Sequence, residues 1–244
     1  MIKDVVMKKF LIIFGLLFIG LRASASGNMD ELFNYANTNM KNFWFENGKY
    51  EQKVLDVGTK IINLNKLDKR IAFQTIRDYK TMNAKACPFD KTVYVYYGIL
   101  PYIDNDDELA FILGHEMTHT LDQYGGFFKW MDMALNAKSY ETKADLNGID
   151  LMVKTGYNPI AAICVQNKSF PESYWDGWLW TTHPKTSKRL MDMYKYIYVK
   201  YPWALETDMV HNVNYENFTY SSQKEINLFL QHQKERSMQQ KGEI

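Results

Sequence analysis

Apolar and polar positions along this chain repeat with two different periods. From Met29 to Leu64 the residues Leu32, Tyr35, Ala36, Val54, Leu55, Val57, Ile61, Ile62 and Leu64 recur at helical spacing. Asn47-Gly48 interrupts them, so the stretch predicts two helices. Ile71–Ile76 and Thr92–Tyr97 are dominated by β-branched and aromatic residues and predict strands, with Cys87-Pro88-Phe89-Asp90 as a turn between them. Asn105-Asp106-Asp107 offers side chains that cap free N–H groups and complement the dipole of a helix from Glu108 to Tyr124, ended by Gly125-Gly126. Further helices are expected over Ser139–Thr155, stopped by Gly156, over Pro159–Val165, with proline near its first position, and over Ser187–Tyr201. Trp175–Trp180 reads as loop. Ile226, Leu228 and Leu230 suggest a weak docking helix in a polar tail over 221–244.

The N-terminus follows another pattern. Lys3, Lys8 and Lys9 precede an apolar run, Phe10–Leu21, and Ala23-Ser24-Ala25 supplies small residues. These are the three regions of a signal peptide cleaved after Ala25; the alternative is an uncleaved N-terminal anchor, since the run is short for a bilayer span. The expected organisation is a signal peptide (1–25), one catalytic domain (26–220) and the polar tail. The body is expected to be exported, periplasmic or secreted, with membrane contact only if the first segment stays attached.

Composition excludes several classes. With 46% apolar and 23% charged residues the chain is an ordinary globular protein, and 244 residues suit one domain. The formal charge is +1, and residues 1–25 hold four basic side chains against one acidic, so the remainder carries −2. That gives no electrostatic reason to expect nucleic acid. Cys87 and Cys164 leave open either one bridge or two free thiols.

The chemistry centres on His115-Glu116-Met117-Thr118-His119. Histidines four apart stand on one helical face, so two imidazoles can reach one metal ion. Glu116 is rotated about 100° from His115, which places its carboxylate beside the ion as a general base for an attacking water. The apolar run Leu109–Leu113 before the motif suits a buried helix. A catalytic zinc needs a third protein ligand and one open position. Glu141, on the following helix, can supply it, and Asp145 one turn later can accept the outer N–H of a ligating histidine. His183, in Thr182-His183-Pro184, is either an oxyanion donor or a loop histidine packed on tryptophans. His211 and His232 have no such neighbours.

From about Met82 to Leu190 the order of motifs resembles the zinc metallopeptidase family forty-eight, which includes the HtpX heat-shock proteases, the CAAX prenyl proteases and periplasmic assembly proteases. It is carried by Asn83-Ala84, Gly98-Ile99-Leu100, Asp107–Ala110, Gly114-His115-Glu116, Glu141–Asp145, Gly148, Gly156–Pro159, and Thr182-His183-Pro184 with Arg189. The resemblance implies an α+β fold, a mainly helical zincin-like minigluzincin core with a small β-sheet over the HExxH helix. It implies one Zn2+ per chain on His115, His119 and Glu141, with His183 stabilising the transition state and Arg189 supporting the site. It also implies that the strand at Thr92–Tyr97 borders the cleft, where an extended peptide adds as a further strand. Only Thr120–Tyr140 separates the second histidine from Glu141, shorter than in many relatives, which points to an open cleft.

The expected activity is zinc metalloendopeptidase action on polypeptides, with unfolded or misfolded exported proteins as substrates and quality control as the role. The rival is an exported, zinc-binding, chaperone-like protein of the same fold that cleaves little.

Overall fold

The computed structural model describes residues 48–67, 71–87, 90–122, 136–169 and 185–241. The signal segment, the helix expected from Met29, the Trp175–Trp180 loop and His183 lie outside them. Apart from Gly48 and Lys49, the described residues belong to one compact unit, 50–244.

The described chain is mainly helical, with one three-stranded sheet. Helix α1 covers 48–65 and presents Val54, Val57 and Ile61 to the core. Strands β1 (Ala72–Ile76), β2 (Ala84–Cys87) and β3 (Thr92–Tyr96) follow, then a short 3-10 turn at Leu100–Tyr102. Helices α2 (Asp106–Asp122), α3 (Ala137–Lys154), α4 (Ile160–Ser169), α5 (Thr186–Lys200), α6 (Val213–Ser221) and α7 (Gln223–Lys241) follow, with 3-10 turns at Pro202–Glu206 and Asp208–His211 between α5 and α6.

The sheet order is β1-β3-β2, with β1 parallel and β2 antiparallel to β3. The strand expected to border the cleft, at Thr92–Tyr97, is therefore the central one. Its backbone groups are used on both sides: Tyr97 N–H donates to Ile76 and Tyr96 N–H to Asn83. It cannot accept a further strand. The edge toward α2 is β2, which composition did not predict, because Ala-Lys-Ala-Cys lacks the β-branched and aromatic residues that mark strands.

Helix α2 begins where its residues can satisfy its free N–H groups. Asn105 Oδ1 accepts the Glu108 N–H at 2.9 Å, and Glu108 Oε2 reaches back to the Asp104 N–H at 2.8 Å. Asp106, Asp107 and Glu108 complement the dipole. From there Leu109, Leu113 and Met117 are fully buried at i, i+4 and i+8, each contributing about 1.5–3 kcal/mol.

Helix α3 buries Glu141, Ala144, Asp145, Gly148, Ile149 and Met152, a continuous stripe at helical spacing. It packs on α2 more extensively than any other pair of described elements pack together. The two cross at Gly114 and Gly148, where a Cβ on Gly148 would lie 2.9 Å from the His115 backbone nitrogen. Only glycine permits that approach. The helix ends at Gly156, whose φ of +91° is the left-handed conformation expected of a terminating glycine.

Beyond α4 the structure adds what the pattern did not indicate, notably α6. Tyr194, Tyr215, Phe218 and Phe229 form a ring cluster joining α5, α6 and α7. Asp150 on α3 accepts from Tyr196, Tyr201 and Lys200, tying the end of α5 to α3. Cys87 and Cys164 are free thiols, and burial pushes the Cys164 thiol up to about 12.

Candidate metal centre

Helix α2 carries His115 and His119 on consecutive turns, and α3 brings Glu141 to them. His115 Nε2 and His119 Nε2 lie 3.1 Å apart. Glu141 Oε2 is 3.6 Å from the first and Oε1 is 3.2 Å from the second. Three ligands about 2.0–2.1 Å from a tetrahedral zinc stand about 3.3 Å from one another, so this donor triangle fits that ion. The donor chemistry fits too, as two imidazole nitrogens and one carboxylate leave a fourth position open. His115 and Glu141 are 9% and 8% exposed, so one side of the triangle is embedded in protein.

Orientation of His115 comes from behind. Its Nδ1 lies 2.9 Å from Asp145 Oδ1, and Asp145 is 2% exposed. A proton on Nδ1, drawn to that carboxylate, leaves the Nε2 lone pair facing the triangle. Asp145 is in turn held by Arg189, whose Nε and Nη2 donate to its two oxygens at 2.8 and 2.6 Å. Burial acts to raise the Asp145 carboxyl, but the Arg189 bonds and His115 hold it below the usual carboxylate range. For His115 the cost of burying a charged ring is outweighed by Asp145, which raises its pKa.

Glu116 projects from α2 beside the triangle. Burial lifts its carboxyl above the ordinary value, opposed by His115, His119 and a hydrogen bond from Ala86. That bond, from the Ala86 N–H on β2 to Glu116 Oε2 at 2.7 Å, was invisible in the sequence because it uses a main-chain group. The structure thus brings together His115, Glu116, His119, Glu141, Asp145 and Arg189; His183 lies outside the described residues.

A search of curated proteins finds no significant match to this chain. Residues 47–125 match Peptidase family M48, a stretch that holds β1–β3, α2, both histidines and Glu116 but stops short of Glu141. The third donor therefore rests on the geometry above, where Glu141 completes the triangle. That match and the His-His-Glu cluster support assigning the chain to the M48 family of zinc metallopeptidases.

Proposed function

We propose that this protein is an exported zinc metalloendopeptidase acting on unfolded or misfolded exported polypeptides. The observation that carries the reading is the donor triangle of His115, His119 and Glu141 with the Glu116 carboxylate alongside. Zinc held there would supply a Lewis acid and lower the pKa of a bound water toward about 7. Glu116 would take a proton from the attacking water and return it to the leaving amine. Asp145 keeps the His115 lone pair directed at the metal position, and Arg189 keeps Asp145 in place. His183 is assigned the oxyanion on family resemblance.

Substrate would dock on β2. The bond from Tyr96 N–H to Asn83 O sets the ladder so that 83, 85 and 87 face β3, while the backbone groups of Ala84 and Ala86 point away from β3, on the side of α2. An extended peptide pairing there lies next to Glu116, and main-chain pairing favours unfolded segments over folded ones. Export is supported by the Lys3–Ala25 pattern. Among the described residues no helix is long and apolar enough to cross a membrane.

The test is casein digestion followed by mass spectrometry, with zinc measured per chain. Wild type should hold one zinc and make internal cuts, and Glu116→Gln should keep the zinc and lose at least about a hundredfold in rate. Equal, negligible cleavage by both zinc-loaded proteins would favour the chaperone-like reading.

A further inference from the structure

The two histidines are aimed by the helix that carries them, but a glutamate side chain has three rotatable bonds. Something must hold the Glu116 carboxylate beside the open metal position, since misplacement by an ångström costs heavily in rate. The structure places one donor there, the Ala86 N–H, 2.7 Å from Oε2. The β2–β3 ladder does not use this N–H. Residues 83, 85 and 87 pair with β3, and Ala86 points the other way. Ala86 has no functional side chain, so its contribution is wholly main-chain.

We propose that the Ala86 N–H is a positioning group for Glu116, fixing the carboxylate by Oε2 and leaving Oε1 to face the water. The inference rests on Glu116 being the base. It gives β2 two functions: the strand that receives the substrate backbone also sets the base, so both are referenced to one rigid element.

Ala86→Pro tests this, because proline deletes the N–H and is tolerated on an edge strand where that N–H leaves the ladder intact. The expected result is a fall in kcat of about tenfold, as for loss of one hydrogen bond to a charged group. The fall should be equal on casein and on a short peptide, with KM, zinc per chain and the melting temperature of the metal-free protein unchanged. In Glu116→Asp, whose shorter side chain cannot reach Ala86, the proline should cost nothing more. A rise in KM confined to long substrates, or an undiminished tenfold loss in the Glu116→Asp background, overturns the proposal. Should the proline variant fail to fold, an amide-to-ester exchange at Ala86 removes the same N–H without restricting the backbone, and the same outcomes decide. Failure of the base assignment itself would show separately, as full activity in Glu116→Gln.

Discussion

Arg189 grips Asp145 through two parallel hydrogen bonds, Nε to Oδ2 at 2.8 Å and Nη2 to Oδ1 at 2.6 Å. The same Asp145 carboxylate lies 2.9 Å from His115 Nδ1. One carboxylate thus joins α5, through the guanidinium, to the imidazole that faces the metal position. Because a lysine ammonium cannot reproduce the planar fork, Arg189→Lys is not a conservative change here. Arg189→Lys and Asp145→Asn should each weaken zinc binding by about 10–100-fold, measured by competition with a chelator. Unchanged affinity in both would show that the arrangement behind His115 does not tune the site.

The crossing of α2 and α3 makes a second prediction. A Cβ at Gly148 would meet the His115 nitrogen and Cα at 2.9 and 3.2 Å, backbone atoms that cannot swing aside. Gly148→Ala should therefore separate the helices, costing about 1–3 kcal/mol, and should weaken zinc binding by moving Glu141 off the triangle. Gly58→Ala is the comparison: the atoms nearest its Cβ would be those of the Phe73 ring, from 2.4 Å, on β1 rather than on the donor-bearing helices. It should lower the melting temperature and leave zinc affinity alone. Parallel loss of zinc affinity in both variants would contradict the assignment.

The buried carboxylate at the start of α2 carries a pH signature. Desolvation raises the Glu108 carboxyl above its ordinary value, against the pull of Lys168 and the Asp104 N–H. A raised native pKa contributes stability below the unfolded value of about 4.3, and that contribution is lost as pH climbs through the native value. Glu108→Gln cannot ionise. In urea unfolding of the metal-free chain, its stability relative to wild type should improve as pH rises from about 4 to 7. Asp145, held low, has the opposite sign: its contribution is present above about 3.9 and lost as pH falls through its native value. A pH-independent difference between Glu108→Gln and wild type would contradict the first of these.

Much of the site could be read from local pattern. His115 and His119 need only helical periodicity to share a face, and Asn105–Glu108 announces the helix that carries them. Glu141 and Asp145 stand on the stripe that α3 buries, so spacing brought them within reach of the argument. What escaped was set by tertiary contacts. Strand β2 forms because Ala84–Cys87 has β3 beside it, not because its residues favour extension, and the proposed peptide-docking edge therefore lies at Ala84–Cys87 rather than at Thr92–Tyr97. The Ala86 N–H has no side-chain signature. Asp150 carries no local signature of its role, because Tyr196, Lys200 and Tyr201 reach it only once α5 folds back onto α3. Helix α6 gains its stability from burying Tyr215 and Phe218 against neighbours distant in sequence.

The central claim is a three-ligand zinc centre with one open position, and X-ray absorption at the zinc edge tests it most directly. The zinc-loaded protein should show two imidazole nitrogens and two oxygens at about 2.0–2.2 Å, one oxygen from Glu141 and one from solvent. A sulfur shell at about 2.3 Å, or a spectrum unaltered in a fully loaded Glu141→Ala variant, would contradict it.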